Sequence, residues 1–189
     1  MHLVRDEAIL VMKVGLHGNE TLADIISRKQ NEELVAGFCF WGYGGNLCHP
    51  FSVVQPFAQN LLTPARRIRA VFVKTTSPFF GDHIEPADEY SINGMDWLSL
   101  PKGISVTASK FALVLKNLRQ TSESICYGSY SVAVGPSAGK SLRDYMRFRV
   151  DKAVAVRNNS PDDGPVVAVD FTADLIEPYA ISVRRRGNL

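Results

Sequence analysis

The sequence predicts one α+β domain with a mixed, largely antiparallel sheet of about eight or nine strands and two helices packed on it in the N-terminal half. Three observations predict this class. The chain has 189 residues, the length of a single domain, and no linker-like segment divides it. Short apolar runs of strand length follow one another along most of the chain. Stretches with helical periodicity occur early, between the first strands.

The composition predicts a globular protein that functions in the cytosol. Hydrophobic residues make up 46% of the chain and charged residues 21%. The net charge of +2 does not by itself indicate nucleic-acid binding. No apolar run approaches the roughly 20 residues of a membrane span, so no membrane partner is expected. Three cysteines, Cys39, Cys48 and Cys126, cannot all pair within one chain, which favours a reducing compartment.

The N-terminal part alternates strands with helices. The apolar run Ala8–Val14 predicts a buried strand. Thr21 and Asp24 have the spacing of a capping box, and the apolar residues that follow keep to one face of a helix. A second buried strand ends at Trp41, and a second helix is predicted from Ser52 to about residue 62.

The rest of the chain predicts strands. Asn93-Gly94 between two strand-like runs is typical of a hairpin with a two-residue type I′ turn. Apolar and basic residues alternate from Met146 to Val150, which indicates a strand with one wet face. Further strands are predicted at 67–74, 110–115, 124–134 with a break at Gly128, 165–171 and 179–183.

The first candidate ligand site is the glycine-rich segment that follows the second strand. Glycines there would let an anion approach the backbone N–H groups, and aromatic rings could stack on a ligand. The candidate residues are Trp41, Tyr43, Gly44, Gly45, Asn46 and His49. Over about eight residues the run resembles the YGS-type substrate loop of γ-glutamyl cyclotransferases. Gly45 stands where that family has serine, and that family's acid has no counterpart, so the family is not assigned.

The second candidate ligand site is the segment Gly-Pro-Ser-Ala-Gly-Lys-Ser at 135–141. It resembles a Walker A phosphate loop, although three residues separate its glycines where that motif has four. A looser anion site would use Ser137, Lys140 and Ser141. Together the two loops predict a binding protein for a small anionic or nucleotide-like ligand. No cofactor and no metal site are predicted.

Three alternatives remain open. A hydrolase or transferase would use Cys48 with His49, or the acidic loop 82–89. A docking module for a protein partner, without a small ligand, would use Phe79 and Phe80. Nucleic-acid binding would use an arginine stripe on two strands. The acids are Asp82, Glu85, Asp88 and Glu89; the stripe is Arg67, Arg69, Arg147 and Arg149.

Overall fold

The structure is a computed structural model that describes residues 2–15, 20–43, 51–61, 68–75, 86–107, 109–147, 150–162 and 164–186. In these residues there are three α-helices: α1 (Leu22–Ala36), α2 (Phe51–Leu61) and α3 (Leu142–Tyr145). The strands are β1 (Ala8–Val14), β2 (Cys39–Tyr43), β3 (Arg69–Lys74), β4 (Glu89–Ser91), β5 (Leu98–Ser99), β6 (Phe111–Gln120), β7 (Ser124–Cys126), β8 (Tyr130–Val132), β9 (Lys152–Arg157), β10 (Val166–Ala168) and β11 (Phe171–Arg184).

The main sheet confirms the predicted α+β class. Its strand order is β2-β6-β11-β3-β1-β9-β8, with β4 added to the end of β11 and β5 added to β4. The pair β1–β3 is parallel, and the other pairs are antiparallel. β7 and β10 form a separate two-stranded sheet. The sheet is therefore mixed and largely antiparallel, as the sequence predicts.

The first helix forms as its sequence predicts. The Thr21 hydroxyl accepts a hydrogen bond from the Asp24 N–H at 3.2 Å, and the Asp24 carboxylate accepts one from the Thr21 N–H at 3.0 Å. This is a complete capping box. At the other end, Gly37 adopts a left-handed conformation with φ of 83° and closes the helix through its N–H to the Glu33 carbonyl.

The main sheet is strongly curled. Trp41 on β2 and Phe72 on β3 are separated by two intervening strands, β6 and β11. In a flat sheet that separation would be about 14 Å at the usual strand spacing. The two ring centroids are instead 4.5 Å apart. The curl therefore brings β2 across the inner face of the sheet.

The curl creates a concave face with a core of its own, which we call the concave core. Both α1 and α2 pack on this face, through Ile25, Ile26, Val54 and Ala58. Its large strand residues are Leu10, Met12, Val14, Cys39, Trp41, Tyr43, Phe72, Leu113, Leu115, Val154, Leu175 and Tyr179. Two smaller cores lie on the convex face, one under β7 and α3 and one under the segment 86–107.

Two local predictions were wrong. The alternating segment was predicted as a strand from Met146, but Met146 instead caps α3 and is 2% exposed in a convex-side core; residues 148 and 149 lie outside the described residues, and the next described strand begins at Lys152. Asn93-Gly94 does not make a two-residue turn, because six residues separate β4 from β5. The Asn93 side chain instead accepts hydrogen bonds from the N–H groups of Met95 and Asp96, both at 2.9 Å.

Candidate functional site

The curl leaves a small cleft where β2 approaches β1 and β9. The enclosed part has room for about one water molecule, and the 230 Å³ of empty space around it includes open solvent at the mouth. Ligand sites for drug-sized molecules usually exceed roughly 300 Å³. The cleft is therefore a shallow depression, and a ligand group would lie across its open mouth. Its lining residues are Leu10, Tyr43, Val54, Leu113, Lys152, Ala153 and Val154.

Tyr43 belongs to the predicted site and lines this cleft. It is the last residue of β2 and stands directly before the glycine-rich segment. Its side chain points to the concave face, where its ring lies 5.7 Å from the ring of Phe111. Trp41 shares that face but packs on Phe72 and is 6% exposed. Trp41 and Tyr43 are thus both core residues, 6% and 4% exposed, and Tyr43 also lines the cleft.

Lys152 is the charged residue of the lining, and no sequence pattern pointed to it. Its side chain is 13% exposed, and its Nζ donates to Oδ2 of Asp151 at 2.9 Å. The cleft therefore combines an apolar floor, a phenol and an ammonium group.

The second predicted loop is a hydrogen-bonded hairpin. The Val132 N–H donates to the Lys140 carbonyl at 2.8 Å, and the Gly139 N–H donates to the Val132 carbonyl at 2.8 Å. The N–H of Ala138 and that of Lys140 also donate to carbonyls of the loop. These amides are engaged within the turn, which is not the arrangement of a phosphate-wrapping loop. The Lys140 side chain is exposed.

The curl brings the start of this second loop to the concave core. Ala133 and Val134, which follow β8, pack against the same core that contains Tyr43. Ser137 and Ser141 are partly buried within the hairpin. The remaining residues of the first predicted loop, Gly44, Gly45, Asn46 and His49, lie outside the described residues.

The described members of the predicted arginine stripe lie on separate parts of the fold. Arg69 is on β3, and its guanidinium pairs with Asp6 and with Glu123, the latter at 2.6 Å. Two carboxylates thus neutralise Arg69. Arg147 is exposed just after α3. Arg67 and Arg149 lie outside the described residues.

The predicted acidic loop is described from residue 86 onward. Glu89 is 7% exposed and accepts hydrogen bonds from Arg186 and Arg184, both at 2.9 Å. These two arginines hold the pKa of the Glu89 carboxyl below its usual range. Asp88 accepts the Arg186 N–H at 2.6 Å. Both acids are part of an anchor for the C-terminal end of β11, and Asp82 and Glu85 lie outside the described residues.

Cys48, the predicted nucleophile, lies outside the described residues, as do Phe79 and Phe80. The two thiols that the structure describes, those of Cys39 and Cys126, differ in their environment. Burial raises the pKa of the Cys39 thiol to about 12. Burial also raises the pKa of Cys126, but hydrogen bonds from the Ser129 hydroxyl and nearby backbone N–H groups outweigh it and lower the net pKa.

Two further classes of feature were searched for in the described ranges. No group of three or more His, Cys, Asp or Glu side chains there could hold a metal ion. No helix in those ranges is both long and apolar enough to cross a membrane. Comparisons of the chain with protein-family models, with curated proteins and with solved structures gave no match.

Proposed function

We propose that the protein binds a small anionic ligand whose apolar part covers the mouth of the cleft beside Tyr43 and Val54 and whose anionic group meets Lys152. The observation that supports this most is the lining of the cleft. It joins the last residue of β2, before the glycine-rich segment, to a partly buried lysine on β9. Apolar clefts with a few convergent polar groups are the usual form of small-molecule sites.

The size and chemistry of the cleft narrow the ligand class. The enclosed part of the cleft has room for about one water molecule, so its open mouth is left for a single ring or a short branched chain. Apart from the Tyr43 hydroxyl and the Lys152 ammonium, the lining side chains are aliphatic. A nucleobase would bury ring nitrogens and carbonyls against these aliphatic groups, and each unmatched polar group costs about 1–3 kcal/mol. The cleft thus favours an apolar ring over a base.

A location in the cytosol is also part of this proposal, because the cysteines predict a reducing compartment.

The test uses benzoate, which carries one ring and one carboxylate. Binding is measured by ¹H–¹⁵N NMR titration of the full chain, because such a fragment is expected to bind with a Kd of about 1 mM. Val54→Phe fills the cleft from α2 and should abolish the titration. Val166→Phe makes the same change at an exposed position of β10 and should leave it unchanged.

Two results would count against the proposal. Wild-type protein that shows no saturable shifts with benzoate would refute binding in this cleft. Equal titrations of the wild type and a folded Val54→Phe variant would place any binding elsewhere. A chemical-shift map centred on Tyr43, Val154 and Lys152 would support it.

A further inference from the structure

We propose that Asn93 is a site of self-modification, at which the backbone nitrogen of Gly94 attacks the Asn93 side chain and ammonia is released. Asn93-Gly94 is the only Asn-Gly dipeptide in the chain. Both residues are exposed, and Gly94 has φ of 77°. Because glycine has no Cβ, its nitrogen is sterically open and its backbone can adjust to the attack.

Three donors surround the oxygen atom on which negative charge would develop. Oδ1 of Asn93 accepts hydrogen bonds from the N–H groups of Met95 and Asp96, both at 2.9 Å, and from the Ser91 hydroxyl at 3.1 Å. When the Gly94 nitrogen adds to Cγ, this carbonyl becomes a tetrahedral centre with the charge on Oδ1. Donors at roughly 3 Å from such an oxygen stabilise it more than they stabilise the starting amide. The turn therefore lowers the barrier to the attack.

The chain on the N-terminal side of Asn93 is held by the fold. Ser91 is the last residue of β4, is 0% exposed and pairs with Ser182 on β11. The Ile92 carbonyl accepts a hydrogen bond from Nε2 of Gln55 on α2 at 3.0 Å. Since these contacts fix the Ser91 hydroxyl before any reaction, its stabilisation of the oxyanion needs no rearrangement.

The Asp96 carboxylate contacts the nitrogen that leaves. Nδ2 of Asn93 donates to Oδ2 of Asp96 at 2.7 Å. The Gly94 N–H has no hydrogen-bond partner among the residues that the structure describes. The attack forms the bond between the Gly94 nitrogen and Cγ and breaks the bond between Cγ and Nδ2. Asp96 takes up the Gly94 proton as a general base and passes it to Nδ2, which leaves as ammonia.

Water completes the modification. It adds to one of the two carbonyls of the cyclic imide and opens the ring, which leaves an aspartate or an isoaspartate at position 93. In total, a side-chain amide and one water become a carboxylic acid and ammonia, without oxidation or reduction. The new carboxylate faces Asp96 where Nδ2 donated before, so the turn loses a hydrogen bond and gains a like-charge contact.

The experiment follows deamidation of the full chain at neutral pH by mass spectrometry, with digestion in acid so that the digestion itself deamidates nothing. The native protein is compared with the same chain unfolded in guanidinium chloride, where the contacts of the turn are absent. The variants are Ser91→Ala, Asp96→Asn and the control Asp144→Asn, which makes the same change at an exposed position of α3. Circular dichroism confirms that each variant is folded.

Residue 93 should deamidate faster in the native wild type than in the unfolded chain. Asp96→Asn keeps an oxygen beside Nδ2 but cannot take up a proton, so its native rate should fall by about tenfold or more. Ser91→Ala should slow the native rate by about two- to tenfold, the effect of one neutral hydrogen bond. The control should match the wild type, and all four chains should react equally in guanidinium chloride.

Two results would overturn the proposal. A native wild type that deamidates at residue 93 no faster than the unfolded chain would show that the turn protects Asn93. A folded Asp96→Asn variant with the wild-type rate would remove the carboxylate from the reaction. If Asp96→Asn does not fold, Ser91→Ala decides in its place, and a native rate equal to that of the wild type would overturn the proposed stabilisation of Oδ1.

Discussion

The buried ion pair between Lys29 and Glu32 on α1 gives the sharpest stability prediction. Lys29 is 3% exposed and Glu32 is 2% exposed. The Lys29 ammonium lies 2.9 Å from both carboxylate oxygens and donates to the Ser105 carbonyl at 2.6 Å. Glu32 accepts the Ser105 N–H at 3.1 Å. The pair thus holds the segment 104–106, which covers a convex-side core, against the helix.

The change to make is Glu32→Gln, which keeps an acceptor for Ser105 and removes the charge. Lys29 would then be a buried ammonium without a counter-ion, a situation that typically costs 3–5 kcal/mol. The loss has an upper limit, since the lysine can release its proton. Neutralising an amine of ordinary pKa 10.5 at pH 7 costs about 5 kcal/mol. We expect the free energy of unfolding to fall by about 3–5 kcal/mol.

The reciprocal change, Lys29→Met, should cost less. Protonating a carboxyl of ordinary pKa 4.5 at pH 7 costs about 3.5 kcal/mol, and Arg28 remains 3.5 Å from Glu32 as a partial counter-ion. The double variant removes both charges and should lose less than the sum of the single losses, with a coupling energy of about 2 kcal/mol or more.

The two single variants should respond to pH with opposite signs. Burial lowers the pKa of Lys29, so its stability contribution is lost as pH falls through the folded-state pKa, and the deficit of Glu32→Gln should shrink as pH rises toward 10. Burial raises the pKa of Glu32, so its contribution is lost as pH rises, and the deficit of Lys29→Met should shrink as pH falls toward 5.

Urea unfolding of the wild type, the three variants and Lys102→Met at several pH values measures these quantities. The exposed control should stay within about 0.5 kcal/mol of the wild type. Two results would refute the reasoning that burial makes each charge depend on the other. One is a loss of unfolding free energy below about 1 kcal/mol in either single variant. The other is a stability deficit that changes with pH in the same direction in both single variants.

Three further outcomes follow from other parts of the fold. Burial raises the pKa of Tyr130 to about 12, so the stability contribution of Tyr130 is present below pH 10 and is lost as pH rises toward 12. The urea midpoint of the wild type should fall over that pH window, and the midpoint of Tyr130→Phe should fall less. Gly103 and Gly139 have φ of 88° and 84°, and an added Cβ would meet a side chain only at Gly103, where Val35 lies 2.9 Å away. Thermal unfolding should therefore show a larger loss of stability for Gly103→Ala than for Gly139→Ala. For Gly139→Ala a loss of about 1–2 kcal/mol is expected. Cys39 is 0% exposed with a pKa of about 12, so mass spectrometry should find it unmodified by iodoacetamide at pH 8 until urea unfolds the chain.

The elements with strong local signals were predictable from sequence. The capping box at Thr21 and the apolar run of β1 act within a few residues, so no tertiary information was needed to identify them. The segment from Met146 was predicted wrongly, because apolar and basic residues alternate there although Met146 caps a short helix. The dipeptide Asn93-Gly94 also led to a wrong prediction. Its asparagine side chain accepts hydrogen bonds from N–H groups of its own turn, whereas the same dipeptide is typical of two-residue hairpin turns.

The candidate site was predictable only in part. Tyr43 was selected because a strand ends in a glycine-rich segment, which is a local pattern. Lys152 stands in a segment for which no strand was predicted, and nothing in that segment shows that it reaches the cleft beside Tyr43. Their relation depends on strand order and curl, which are set by contacts between residues more than 50 positions apart. Periodicity gives the side of a strand that a residue occupies, but not the neighbours it meets there.

The curl that forms the cleft has a second consequence at the two outermost strands. A sheet with open borders can recruit a strand from another chain, which leads to uncontrolled association. Here Cys39 and Phe40 on the first strand of the path are 0% and 2% exposed. At the opposite border, Val132 on the last strand is bonded back to Gly139 and Lys140. At the β8 border the chain's own hairpin thus occupies backbone groups that a foreign strand would need, and at the β2 border the side chains are buried in the protein's own core.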